Sequence, residues 1–537
     1  MSDNKRLGAL RRVGLTGIFA FSGLIFLFPA VVSAQDDHSE DVVSASQVPS
    51  ATLPEAAHSA DQEHGHGAED THADAAQGHS RPTPSLFWIA PFVILLGCIA
   101  LLPLIPATEH WWHKNTSKLL VALVLASITL GYYFTRDFGF PHGEHLTEPG
   151  IETVKAVLNH AVIADYIPFI VLLLSLFVIS GGINVRGDVQ AYPVTNTGII
   201  ALGGVLASFI GTTGAAMLLI RPLLQFNQER KNVVHTVVFF IFVVCNIGGC
   251  LLPIGDPPLF LGYLRGVPFL WTLHLVWEWA FCLISVLAVY YLWDSWAWKR
   301  EPRSAINLDE TFKEPVKITG GWNGFLLLGV VLAVALLVPG KKVPGIDWEV
   351  PHILPLGVRE YVQLGLAGIS LLFTSKAIRK ANDFSFFAIN EVACLFIGIF
   401  ICMQAPIEIL NAKGPELGLS TPVQFFWASG FLSSFLDNAP TYVVFFQTAG
   451  TLPWENTSEL MSGVQTATGT VPIPLLVAIS CGSVFMGAMT YIGNGPNFMV
   501  KSIAEQAGVR MPSFFGYMIY SVLILVPVYI ALTFVLL

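Results

Sequence analysis

Charge is what this sequence has least of. Only 12% of its 537 residues are Asp, Glu, Lys or Arg, while 53% are hydrophobic; a soluble domain carries roughly 25% charged residues. An ordinary soluble core is thereby excluded, and a polytopic membrane protein remains. Lys and Arg are absent altogether from Gln35 to Ser80, which holds ten acidic residues and six His. No basic face exists to receive a nucleic acid. The seven Cys all fall inside apolar segments, as small buried hydrophobes do, rather than as disulfides or a metal cluster. No His-Glu-x-x-His occurs, so a zinc-protease helix is excluded. Pro253-Ile254-Gly255-Asp256 lacks the Gly-x-Gly-Asp form of an intramembrane aspartyl protease. Neither an enzyme nor a bound cofactor is expected.

The N-terminus reads as a targeting segment. Lys5, Arg6, Arg11 and Arg12 precede an apolar run ending in Val-Ser-Ala before Gln35, the pattern of a secretory signal over residues 1–34, with an uncleaved span as the alternative. Residues 35–82 then form a tail too poor in apolar side chains to bury a core, expected to be disordered and outside the cytoplasm. Its His58, His64, His66, His72 and His79 could gather a divalent metal, but their spacing fixes no geometry and a solvated acidic tether is the plainer reading.

What is present is apolar sequence in long runs. Segments at 85–106, 118–135, 161–182, 194–224, 234–263 and 269–293 precede a charged linker at 295–320. Six more follow at 322–339, 358–375, 386–411, 421–449, 472–500 and 513–536. Six after six, with matched motifs, argues for duplication, a first membrane repeat over 83–294 and a second over 321–537. The segments 194–224 and 421–449 exceed one straight crossing of about 20 residues. Taken as re-entrant hairpins, they put 16 basic residues on the cytoplasmic side and 8 outside; taken as through-crossings, they give 10 and 14. Positive residues favour the cytoplasm, so the hairpins are selected. Five through-crossings plus one hairpin per half is odd, which inverts the second half relative to the first. The expected fold is therefore an all-α polytopic membrane protein of inverted repeats, in a bacterial cytoplasmic (inner) membrane.

Two paired motifs interrupt those runs. Ala207-Ser208-Phe209-Ile210-Gly211-Thr212-Thr213-Gly214-Ala215 and Ser433-Ser434-Phe435-Leu436-Asp437-Asn438-Ala439-Pro440-Thr441 lie 226 residues apart. Leu252-Pro253-Ile254-Gly255-Asp256-Pro257-Pro258 and Tyr491-Ile492-Gly493-Asn494-Gly495-Pro496-Asn497 lie 238 apart. Broken backbone in a bilayer is tolerated only where it lines a cavity, and paired breaks in corresponding halves point to a transporter's site. A carboxylate at the bilayer centre costs at least about 2.5 kcal/mol, so Asp437 and Asp256 are functional candidates. Asp437, Asn438 and Thr441, with the hydroxyls of Thr212 and Thr213, offer the hard oxygen ligands that Na⁺ takes. Asn494, Asn497 and Asn246 add amides at the second pair of breaks. Sodium is expected at Asp437, Asn438 and Thr212. If Asp256 and Asp437 share one cavity, the proton that Na⁺ displaces belongs to the pair.

Other polar residues in the runs carry two readings each. Asp165 and Glu391 also share the 226 offset and are either interfacial carboxylates or parts of a proton path. His274 and Glu278 are either a structural pair or a relay. Glu408 sits near the end of its span, where a structural role is the plainer reading.

Ser434 to Thr441, preceded by Asn390-Glu391 leading into Leu395-Phe396-Ile397-Gly398-Ile399-Phe400, resembles the ion transporter superfamily. Within it the likeness is to NhaD-type sodium/proton antiporters and arsenite-permease relatives, over residues 85–537. Leu252 to Pro258 resembles a branch labelled for citrate transport. The resemblance implies a scaffold plus a transport region of two hairpins and two interrupted helices. It departs at the tips, where Gly211-Thr212-Thr213 and Asp437-Asn438-Ala439 stand in place of Ser-Asn-Thr signatures. Sodium/proton antiport by alternating access, with Na⁺ and H⁺ as the transported ions, ranks first. Coupled transport of citrate, a dicarboxylate or an arsenite-like oxyanion ranks second, because two Asp repel an anion and only Arg221 could offset them. Small ions or a small anion and the lipid bilayer are the expected partners; a homodimer is compatible.

Overall fold

Each of the twelve apolar segments holds helix. The computed structural model describes residues 82–537 apart from 143–144, 305, 308–313, 352, 354–355, 453–462 and 467–468, so the signal segment and the His-rich tail lie outside the described residues. In chain order the principal helices are α1 (Ala90–Leu101), α2 (Asn115–Thr135), α3 (Ile151–Ser180), α4 (Pro193–Ile210), α5 (Thr212–Phe226), α6 (Val234–Val244), α7 (Pro257–Leu264) and α8 (Val276–Trp298). The second half supplies α9 (Asn323–Leu336), α10 (Val358–Phe373), α11 (Phe387–Cys402), α12 (Pro422–Phe435), α13 (Asn438–Gly450), α14 (Ile473–Met486), α15 (Gly495–Gln506) and α16 (Phe514–Val535). Among the described residues, six helices are long and apolar enough to cross a bilayer. Two of these, Ile151–Ser180 and Phe387–Leu417, are 72% and 78% buried over their most apolar windows, whereas α2 and α16 are only 33% buried. The former are central; the latter present their surface to lipid.

Helix α3 starts ten residues before the apolar run that announces it, because Lys155, Asn159 and His160 mask its first turns in sequence. Within it, Asn159–Tyr166 winds as a π-helix, a rare geometry often found at functional positions. Tyr166 donates to Ala393 O at 3.0 Å and Phe169 stacks on Phe396 at 4.8 Å, so α3 and α11 are packed as central partners.

Both long segments are broken in the middle. Helix α4 ends at Gly211, whose φ of +78° and ψ of 149° suit glycine alone, and α5 packs back along α4. Helix α12 begins in a capping box, with Thr421 accepting from Gln424 N and the Gln424 side chain closing on Thr421 N. It ends at Leu436, and α13 starts from an Asp437 cap and packs against it.

The matched offsets recur as matched bonds. Ser208 Oγ donates to Gly248 O at 2.5 Å; Ser434 Oγ, 226 residues on, donates at 3.2 Å to Met486 O, 238 residues on. A Cβ on Gly255 would collide with Gly249 O, and one on Gly493 with Gly487 O. Each break then ends in an extended N-cap residue, Asp256 at φ −143°, ψ 144° and Asn494 at φ −149°, ψ 141°. Proline at the start of both following helices costs no hydrogen bond there. The two halves share one local construction. They are also joined by an antiparallel ladder, β1 (Asn184–Asp188) with β2 (Glu314–Thr319), whose register pairs Asn184 with Thr319 and Arg186 with Lys317. The end of the charged linker is thus a strand.

Candidate functional site

Four interrupted elements meet at one carboxylate. Asp256, at the N-cap of α7, is 1% exposed. Its Oδ1 accepts from Thr212 Oγ1 at 3.0 Å and from Asn494 Nδ2 at 3.1 Å; its Oδ2 accepts from Asn438 Nδ2 at 2.5 Å. Thr212 comes from the first hairpin tip, Asn438 from the second, and Asn494 from the second break. Thr212 and Asn438 are equivalent under the 226 offset, as Asp256 and Asn494 are under 238. The hub is therefore two pairs of corresponding positions folded onto each other. Close glycines make the approach feasible: Thr212 N donates to Gly255 O at 2.9 Å, and a side chain on Gly249 would strike Thr212 and Asp256.

A second layer of amides holds the hub. Asn494 Nδ2 also donates to Cys245 O at 2.9 Å, and Asn246 Nδ2 to Asn497 Oδ1 at 2.8 Å and Ile241 O at 2.8 Å. Asn497 Nδ2 donates to Gly487 O and Thr490 O at 2.8 and 2.9 Å. All three Asn are buried. Their donors satisfy carbonyls that the breaks release, which is what unwound backbone in a bilayer requires.

Asp437 is placed differently. It caps α13 by accepting from Ala439 N at 3.0 Å on one oxygen, is half-buried, and shares no hydrogen bond with Asp256. Thr441 Oγ1 turns back to Asp437 O at 3.0 Å. Thr213 is half-buried and stands outside the hub bonds. Asn438 gives its amide nitrogen to Asp256, while its Oδ1 is buried with no partner. A buried acceptor left unpaired is costly, so this oxygen has a use to be found. It is the type of atom a hard cation takes.

The outlying carboxylates are ion-paired. Asp165 Oδ2 receives Arg265 Nη2 at 2.8 Å, both side chains buried, and Glu391 receives Lys118 Nζ at 2.6 Å. Glu408 is only 7% exposed and takes Arg136 at 2.8 Å and Tyr133 OH at 3.0 Å, a structural pair deeper than its place in the span implied. His274 Nδ1 lies against Trp271 O at 2.7 Å, and Glu278 keeps one buried oxygen without a partner; no bond joins them as a relay. Arg221 reaches Asp383 at 3.5 Å.

One cluster was not anticipated. Asp294, wholly buried, takes Arg230 Nη2 at 2.5 Å and Nη1 at 3.1 Å, His235 Nε2 at 2.8 Å and Asn196 Nδ2 at 3.3 Å. Asn196 and Asn227 exchange bonds at 2.9 Å each. It ties together the open ends of α4 and α5 and the starts of α6 and its loop. Asp294 falls one residue past an apolar run, and that adjacency was the available signal.

Among known proteins, the model of a family described as "Putative citrate transport" matches residues 81–537. No curated protein matches the chain.

Proposed function

The chain belongs to this citrate-transport family, a family of transporters, and from that premise we propose that it is a multi-pass secondary carrier coupling a cation to a small carboxylate of the citrate class. The family match favours a carboxylate cargo over the sodium/proton exchange that the acidic tips put first. The observation that carries the cation half is the convergence of both hairpin tips and both breaks on Asp256. Any movement of one half against the other alters that carboxylate's partners. The cation, Na⁺ or H⁺, is held between the hub and Asp437, with Asn438 Oδ1, the Asp437 carboxylate and the Thr212 hydroxyl as its ligands. Thr441, Asn246 and Asn497 support those ligands. The two locally equivalent halves fit inverted repeats, with hairpins entering from opposite faces and alternating access about the hub.

Exchange of Na⁺ for H⁺ without organic anion remains the second reading. It is favoured by one observation: among the described residues, no Lys, Arg or His hydrogen-bonds to Asp256, Asp437, Thr212, Asn438 or Asn494. Purified protein in sealed vesicles, with an internal pH dye and labelled citrate, tests both. Citrate uptake that needs an imposed Na⁺ or H⁺ gradient is expected. Sodium-evoked proton flux with no citrate requirement would reverse the order, and the absence of both signals would remove the proposal. Labelling of a Gln228→Cys variant from the cytoplasmic side alone is expected if α4 and α5 enter and leave on one face; labelling from the other side would remove the inverted arrangement.

A further inference from the structure

Among the described carboxylates enclosed in the apolar spans, one is unmatched. Asp165, Asp294, Glu360 and Glu408 each hold an arginine, and Asp256 takes three side-chain donors. Glu278 has neither, although it is only 8% exposed and lies inside the 30-residue apolar span Phe269–Trp298. One of its oxygens is buried without a partner, and the carboxylate is otherwise met by its own backbone N–H. It points inward: the thiols it approaches are Cys282, one turn along α8, and Cys481 of α14. Glu278 therefore stands where the first half meets the second. Helix α8 also packs on the 3₁₀ turn Ile247–Cys250 that leads into the first break, and Thr272 Oγ1, in the stretch before α8, donates to Leu251 O at 2.8 Å. Two indole N–H groups close by in sequence, those of Trp271 and Trp279, are likewise buried with no partner.

We propose that Glu278 is a proton-binding site separate from the hub, carrying H⁺ while the two halves are packed as here and giving it to water when they part, so that cargo movement is coupled to proton flux. This deepens the carrier reading and rests on it in one respect, that the halves move against each other. An ionised carboxylate among apolar neighbours is strongly disfavoured, and taking up a proton relieves it when no cation is at hand. None is at hand. The first break presents Cys250 and α14 presents Cys481, both free thiols, as is Cys282 on α8 itself. Helix α16 presents Tyr529, whose hydroxyl is spent on Phe485 O at 2.7 Å. Helix α4 carries no titratable side chain, and His235 of α6 is held by Asp294, far along α8 from Glu278. His274, one turn before Glu278, directs Nδ1 to Trp271 O at 2.7 Å, and Arg265, in the preceding loop, is held by Asp165. The arginine-bound carboxylates cannot take this part, because protonating one would strand a buried guanidinium. Glu278 gains from ionising only when water reaches it, and separation of α8 from α14 is what would admit water.

Infrared difference spectroscopy of the full chain in lipid nanodiscs at pH 7.5 reads the proton without any cargo. An exposed glutamate is ionised at that pH; here the carbonyl stretch of a protonated carboxyl is expected in the wild type and its loss in Glu278→Gln, a neutral replacement of the same shape. In sealed vesicles, Glu278→Gln should lose the citrate accumulation driven by an imposed pH gradient, yet keep the exchange of internal for external citrate, which needs no net proton movement. Glu278→Asp, which restores an acid, should recover part of the accumulation. Identical carboxyl spectra of wild type and Glu278→Gln would overturn the site. So would accumulation that still follows the pH gradient in Glu278→Gln, or loss of exchange together with accumulation, the mark of a merely structural residue. Absence of any citrate movement by the wild type would instead remove the carrier reading and leave the infrared result standing, so the two failures are distinguishable.

Discussion

The two hairpin tips occupy corresponding positions and solve the same backbone problem in opposite ways. The first turns at Gly211, in a conformation closed to other residues, and offers the neutral Thr212 to the hub. The second turns at Asp437, with φ of −55° and ψ of 138° that any residue adopts, and offers Asn438. The breaks reverse the assignment: the charge sits on Asp256 in the first half and its equivalent in the second is the neutral Asn494. Each half thus contributes one carboxylate, at a different one of its two devices. Asp256 is enclosed by three side-chain donors, whereas Asp437 is half-buried and spends one oxygen on a cap. The local geometry repeats while the charge does not: Asp256 accepts from three side chains and Asp437 from one backbone amide.

That division can be broken at the hub first. Asp256→Ala removes the acceptor of three buried donors, at about 1–3 kcal/mol for each donor left unsatisfied, and should abolish transport together with a large fall in the unfolding temperature in detergent. Next comes the backbone: Gly211→Ala forces a side chain into a glycine-only region at about 1–3 kcal/mol, and should lower the unfolding temperature in the same thermal assay. A smaller effect is expected of the exchanged pair Asp256→Asn with Asn494→Asp, which moves the charge to the equivalent cap. Its unfolding temperature should exceed that of Asp256→Asn alone; equality would show that the two caps are not interchangeable. The least stability change belongs to Asp437→Asn, because Asn is as good a cap. Coupled uptake should nonetheless be lost, and uptake retained in that variant would return Asp437 to a purely structural role.

The hub's members could be read from the chain because a bilayer penalises polar interruptions, so Thr212, Asp256, Asn438 and Asn494 stood out against their neighbours. Which carboxylate is the hub could not be read. Both Asp follow a break, and only the approach of Gly255 to the first tip brings Thr212 onto Asp256 rather than leaving it beside Asp437. The ion pairs were hidden for a different reason. Arg265 and Asp165 are 100 residues apart, as Arg230 and Asp294 are 64 apart, and neither spacing has a local period to reveal it. The π-helix was invisible because its polar residues looked like the end of a span. Counting charges alone ranked cation exchange first, and the family match favours the carboxylate cargo that the count ranked second.

The ladder between Asn184–Asp188 and Glu314–Thr319 changes what the peptide link between the halves is for. With β2 docked on β1, backbone pairing just before the second half ties its start to the first. A gene divided ahead of that strand should yield two half-length polypeptides that find each other through the same backbone register, and a tag or reporter spliced into the linker should leave the assembled carrier intact.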